Sequence, residues 1–127
     1  MVRRPVKAYV NELLQAIETI DPMEIEYSFD EFSDTFYVSV LPQPQPGVSM
    51  VLHDGWMIRV HCDTDQVIGL QIENMVSRTL NQFPELSVLM SDQLTEHRLD
   101  DPVYVDQSVE ALTRFKEYVP RIAGVGV

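Results

Sequence analysis

"YSFDEFSDTFYVSV", Tyr27 to Val40, changes the period of the chain from that of a helix to that of a sheet. Ile25, Tyr27 and Phe29 alternate with Glu24, Glu26 and Ser28. After the acidic segment, Phe36, Val38 and Val40 alternate with Tyr37, Ser39 and Leu41. Alternation at a period of two puts one set of side chains in a core and the other in water, so the stretch predicts two half-buried strands. Between them "DEFS" offers turn chemistry, because Asp and Ser side chains hydrogen-bond nearby backbone groups. Asp30 and Asp34 are expected to shape this turn, with Glu31 facing water. A calcium loop would need alternating oxygen ligands and a glycine, and "DEFSDTF" has neither. An acid–base pair would need a cleft and two differently tuned environments, which the stretch does not display.

On the N-terminal side, Val6, Tyr9, Val10, Leu13, Leu14, Ile17 and Ile20 recur at steps of three and four, which predicts an amphipathic helix over 5–20, stopped at Asp21-Pro22. On the other side, Pro42 to Gly47 ("PQPQPG") reads as an extended connector, since each proline removes a ladder donor. "VSMVL" and "WMIRVHC" then flank "HDG", and "VIGLQI" follows "DTDQ", which predicts an antiparallel meander. Within it Trp56, Ile58, Val60 and Cys62 share one face, and Met57, Arg59 and His61 the other. From Glu73 onward Met75, Val76, Leu80 and Phe83 suit a short helix ending before Pro84. "ELSVLMSDQL" fits either a second helix or an irregular packing segment. A polar linker over 95–102 precedes a helix over 105–119 with Val109, Leu112, Phe115, Tyr118 and Val119 inward, ended by Pro120. The expectation is one α+β domain spanning 1–127. It comprises an antiparallel meander of four to five strands over 24–73, with the N-terminal helix and the C-terminal helices (74–122) packed on one face.

Composition bounds the function. The 127 residues carry a net charge of −11, with 45% hydrophobic and 23% charged residues, a globular balance. No Lys or Arg occurs between Lys7 and Arg59, while nine acids do. Such a chain is a poor direct partner for nucleic acid, whose affinity comes largely from phosphate neutralisation, and suits a basic protein better. The single cysteine, Cys62, a start without an uninterrupted apolar segment, and the lack of a membrane-length apolar run lead to the expectation of a cytoplasmic protein without a membrane anchor.

"HCDTD", His61 to Asp65, combines imidazole, thiol and two carboxylates, and His53 on the neighbouring strand could join His61. His53, His61, Asp63 and Asp65 are therefore the candidate metal ligands. Strand alternation would send His61 and Cys62 to opposite faces, leaving Cys62 as an apolar filler beside Trp56. His97 falls in the polar linker and is expected to be solvated. No phosphate loop, dinucleotide fingerprint or nucleophile elbow occurs. No catalytic residue and no cofactor is assigned on these grounds.

"FDEFSDTFYV" resembles the Tyr-Asp-x-x-x-Asp-x-Leu-Tyr hallmark of the DUF2283 (YuzE-like) proteins, a family of uncharacterised function. Phe29 takes the first aromatic place, Asp30 and Asp34 the aspartates, and Phe36 and Tyr37 the last two positions. "VHCDTDQVIGLQIENM" is similar to the family's later pattern through Gly69, Leu70 and Ile72, but Gln71 stands where a glutamate is usual, and the turn lacks the family's glycine. The likeness covers residues 24–75. It implies a small antiparallel sheet, a structural role for Asp30, Asp34 and Gly69 as turn residues, and a setting beside small toxin-like partners. Together these readings lead to a non-enzymatic, acidic, partner-binding and antitoxin-like protein that engages a basic partner and self-associates through a sheet edge or an apolar helix face. The alternative is a small-molecule or metal-binding protein, conceivably a hydrolase.

Overall fold

The computed structural model describes residues 4–22, 24–41, 46–53, 55–90 and 102–124, the last helix by its backbone alone up to 105. His97, the linker over 95–101 and the central part of the proline-rich connector lie outside the described residues. Helix α1, Val6–Thr19, is entered from Pro5 in an extended conformation and left at Ile20, also extended, ahead of Asp21-Pro22. Tyr9, Val10, Leu13 and Ile17 form its buried stripe, as the spacing requires. Val6, one turn earlier, remains 38% exposed.

Five strands follow: β1 Glu26–Asp30, β2 Thr35–Ser39, β3 Gly47–His53, β4 Trp56–His61 and β5 Val67–Ile72. All neighbours are antiparallel, but the spatial order is β1-β2-β5-β4-β3, so the expected simple meander is corrected. β1 and β2 make a hairpin. The chain then crosses to the far edge, and β3, β4 and β5 wind back until β5 lies beside β2. The stretch between Ser39 and Gly47 is long enough for this crossing, because three strand spacings are only about 14 Å and each extended residue reaches roughly 3.3 Å. β5 thereby becomes the central strand, and all six of its residues are buried.

After β5 a π-helical turn, Met75–Thr79, runs into one α-turn, α2 (Leu80–Gln82), and a 3₁₀ segment, Pro84–Met90, follows. The short helix ending before Pro84 is as expected, and of the two courses open to "ELSVLMSDQL" its described part, 85–90, takes the helical one as 3₁₀ turns, the remainder lying outside the described residues. The last helix, α3, Pro102–Ala123, is longer than expected and continues through Pro120. A proline deletes one intrahelical bond, yet Val119 before it is fully buried and Ile122 after it packs on the core, and this packing holds the turn beyond. Val109, expected inward, is 47% exposed. Its neighbour Ser108 is the buried residue instead. No helix among the described residues is long and apolar enough to cross a membrane.

The core lies between one face of the sheet and the helices. Phe36, Val38, Ile58, Leu70, Ile72 and Trp56 meet Tyr9, Leu13, Phe115 and Val119 there. Tyr27 is tied to α3 through its hydroxyl, 2.8 Å from Ser108 Oγ, and Ser108 donates at 3.0 Å to the Pro22 carbonyl. One side chain thus joins β1, α3 and the α1–β1 connection. Trp56 is linked to α3 by aromatic contacts through Phe83, edge-to-face at 6.1 Å, and Phe83 to Tyr118 at 4.9 Å. Gly69 is not a turn residue. It sits inside β5 between Ser39 and Arg59.

Candidate functional site

The helices pack on one side of the sheet, so the other face stands open among the described residues. Pairing register aligns two rows across it. One runs Glu26, Ser39, Gly69, Arg59, Ser49, and the next Ser28, Tyr37, Gln71, Met57, Val51. The first row has charged side chains on β1 and β4 and only a serine and a glycine between them. A concavity of about 410 Å³ lies on this face, bordered by Glu26, Ser28, Tyr37, Ser39, Arg59 and Ile68. Ile68 turns to this face because the β4–β5 ladder shifts register beside Val60. The freed Val67 N–H donates instead to Glu12 Oε2 of α1, at 2.6 Å.

Arg59, the one cation between Lys7 and Arg78, is placed on this open face. Its guanidinium donates to Gln71 Oε1 at 3.3 Å and Ser49 Oγ at 3.5 Å, and Ser49 also donates to Gln71 Oε1, at 2.9 Å. Gln71, in turn, donates from its amide to Glu73 at 3.4 Å. With glutamine rather than glutamate at 71, the side chains that Arg59 meets carry no charge, and among the described residues no carboxylate pairs with it.

Acids surround the opposite edge. Glu24, Asp30 and Glu31 are exposed and Glu26 half-buried along β1 and its ends. Asp30 shapes the turn as expected: one carboxylate oxygen accepts from Phe32 N–H at 3.0 Å and the other from Ser33 Oγ–H at 2.9 Å. Glu31 faces water. Phe32, at the hairpin tip, is 104% exposed, an aromatic ring held out in solvent among carboxylates.

Asp34 does more than close the hairpin. Its backbone takes the left-handed conformation, φ 52°, and its two carboxylate oxygens accept from Val76 N–H at 2.8 Å and Ser77 N–H at 3.0 Å. Those N–H groups open the π-helical turn, whose own N-cap residue, Asn74, supplies no side-chain bond. Desolvation pushes this carboxyl's pKa up, but the Val76 and Ser77 bonds outweigh it and hold it below the ordinary aspartate value. A folded-state pKa below the unfolded one adds stability that is present above the unfolded value and lost as pH falls through the folded value. Asp34→Ala is therefore expected to cost about 1–2 kcal/mol near neutrality, as lost caps do. The difference in Tm between variant and wild type should shrink as pH is lowered below about 4. A constant difference from pH 7 to pH 3 would show that the cap acts without its charge.

The candidate metal ligands scatter. His53 pairs with Trp56 and His61 with Gly47, so the histidines stand at opposite ends of the β3–β4 hairpin, roughly 17 Å apart at 3.4 Å per residue. A bulge after Val51 also turns His53 toward the helix side, beside Trp56 and Phe83. His61, Cys62 and Asp63, however, come together: β4 ends at His61, and the following turn brings one ligand atom from each within 4.8 Å of the others. The expected opposition of His61 and Cys62 fails because Cys62 is on a turn, not a strand, and it is exposed rather than an apolar filler. The imidazole is already engaged, since Nδ1 accepts from Asp63 N–H at 3.1 Å and Thr64 N–H at 3.2 Å. An accepting Nδ1 leaves the ring proton on Nε2, so neither nitrogen offers a lone pair to an ion without giving up the turn.

Asp65 belongs to a different assembly. It accepts from Tyr9 O–H at 2.8 Å and from Arg4 Nε–H at 3.2 Å, and its carbonyl accepts from Arg4 at 2.6 Å. Arg4 also lies 4.4 Å over the Tyr9 ring and pairs with Glu12 at 3.3 Å. This cluster fastens the start of α1 to the β4–β5 turn, and Asp65 is a structural residue. Sequence reading did not identify Arg4, Tyr9 and Glu12 as its partners, nor Arg59, Gln71 and Ser49 as one network, because each set joins only through strand order and register. A signal did exist for Arg59, the lone cation in an acidic run. No family model, curated protein or solved structure matches the chain, so the site rests on its own geometry.

Proposed function

We propose that this is a non-enzymatic partner-binding protein that receives a basic protein segment along the β1 edge and the open sheet face beside it. The observation that carries the reading is the placement of charge. Glu24, Glu26, Asp30 and Glu31 line one edge strand, and the fully exposed Phe32 lies at the end of the same strand. Acids in this position repel acidic segments while favouring one that carries Lys or Arg. The exposed ring supplies the kind of aromatic anchor that dominates binding energy. The concavity bordered by Tyr37 and Ser39 would take one side chain of the guest. The antitoxin-like setting implied by the DUF2283 resemblance fits a guest of this charge.

Peptides of strand length, alternating Lys or Arg with apolar residues, provide the probe. Binding by the wild type is expected to weaken steeply between low and moderate salt, as electrostatic steering requires. Glu26→Lys combined with Glu31→Lys should abolish it, and Phe32→Ala should reduce affinity by roughly 10- to 100-fold. Equal affinity for acidic and basic peptides, or no effect of the charge reversal, would exclude the reading. A second reading, a transition-metal site, rests on the 4.8 Å cluster of His61, Cys62 and Asp63 and requires His61 Nδ1 to give up its two turn hydrogen bonds. Zinc raising the Tm of the wild type but not of His61→Ala would decide for it.

A further inference from the structure

We propose that β3 is a seam at which two copies of the chain join, its outer edge pairing antiparallel with the same edge of a second copy. Among the described residues β4 is the one hydrogen-bonded neighbour of β3, so the other side of the strand presents its backbone groups unpaired. Edge strands in soluble proteins are ordinarily guarded by charged side chains or proline. β1, the opposite edge, carries Glu26 and Asp30. β3, Gly-Val-Ser-Met-Val-Leu-His, is the longest strand of the sheet and has no Lys, Arg, Asp or Glu. Val48 and Val51 stand on it 48% and 61% exposed, on opposite faces, as residues with an odd separation in a strand must.

Charge decides which occupant fits. Pairing two β1 edges would set carboxylates of two acidic chains within about 5 Å of each other, which is destabilising for like charges directly opposite. Pairing two β3 edges makes a ten-stranded sheet in which the β1 edges are nine strand spacings apart, roughly 43 Å. That is about five Debye lengths at physiological salt, so the carboxylates of the two β1 edges oppose this dimer only weakly. The nearest charged side chain on the open face is Arg59, paired with Ser49 on β4, and it makes the seam the least negative strip of the sheet.

The strand pattern is also self-complementary. The β3–β4 register is regular from Gly47 to Val51 and shifts beyond it, so the flat part of the edge is centred on Ser49. A two-fold axis there places Ser49 opposite its copy, Val48 opposite Met50 on the helix side, and Gly47 opposite Val51 on the open side. Each exposed valine gains a neighbour, and the small residues meet at the axis. A closed two-fold of this kind uses up the β3 edges of both copies and stops at two copies. The proposed basic-segment site takes no part in the seam, so the dimer stands or falls independently of that reading.

Sedimentation and exchange of charge variants test it. The full chain is expected to sediment at twice its 14.6 kDa, with dissociation on dilution. Ser49→Lys and Ser49→Asp should each be monomeric, because each sets like charges across the axis. Their equimolar mixture should form a heterodimer. Far-UV circular dichroism checks that both variants fold, and Ser49→Arg with Ser49→Glu serves as the second pair if Ser49→Lys does not. A wild type that stays monomeric up to about 100 µM overturns the proposal. So do folded Ser49 variants that both remain dimers, which would put the seam elsewhere.

Discussion

Gly69→Ala is expected to destabilise the protein by roughly 3 kcal/mol, more than most single methyl additions to a packed interior. A Cβ at this position would fall well inside van der Waals contact of the Val38 carbonyl oxygen and close to Ser39 Cα, 3.5 Å away. Both neighbours are backbone of β2, so no side chain can rotate out of the way. β2 and β5 would have to separate, and β5 is the strand that unites the β1–β2 hairpin with the β3–β4 pair. Thermal unfolding followed by far-UV circular dichroism should show a fall in Tm on the order of 10 °C. A shift of a degree or two would mean that β2 and β5 are not held at this spacing. The substitution bears on the site as well, since Val38 and Ser39 of β2 and Ile68 of β5 all border the open-face concavity.

Trp56→Ala should cost about 3–5 kcal/mol, the range for emptying a large aromatic site in a core. Trp56 is 2% exposed and opens β4 opposite Ile72, the last residue of β5. Its ring meets Phe83 edge-to-face, and Phe83 meets Tyr118 on α3. Tyr118 in turn donates to Glu85 at 2.9 Å, so the sheet, the 3₁₀ segment and α3 share one contact chain. Removing the indole leaves Phe83 with Tyr118 alone and without its edge-to-face contact to the sheet. The loss should appear as faster hydrogen exchange in α3 as well as in β4. Trp56→Phe retains an aromatic ring at the site and should recover more than half of the stability. If exchange in α3 is unchanged in Trp56→Ala, the two layers are coupled by other contacts.

These expectations separate the parts of the molecule that were legible in sequence from those that were not. Alternation, with strand-length apolar runs between turn separators, identified the strand segments and the inward set Phe36, Val38, Ile58 and Val60, because these are properties of local backbone geometry. The stripe of α1 was legible for the same reason. Register and strand order were not. They depend on which hydrophobic faces meet after the chain crosses from β2 to β3, and they decide that Ser39, Gly69 and Arg59 form one row. His61, Cys62 and Asp63 were misjudged because alternation was extended one residue past the end of β4. Asp34 was expected to serve its own turn, whereas its carboxylate caps a helical turn more than forty positions away.

By itself the sequence determined the α+β class, the extent of α1, the hairpin around Asp30, and a charge distribution that leaves residues 8–58 without a cation. Each follows from local periodicity, turn chemistry or counting, which a chain carries however it folds. Tertiary structure alone decided that β5 is central, that β3 is an uncharged edge while β1 is an acidic one, and that Arg59 borders a hollow with Ser39 and Ile68. The physical reason is that strand pairing joins residues distant in the chain, and no local period specifies which strand lies beside which. The acidic segment from Tyr27 to Val40 is thus a hairpin by its own chemistry, and its place on one side of the sheet comes from β5 pairing with β2.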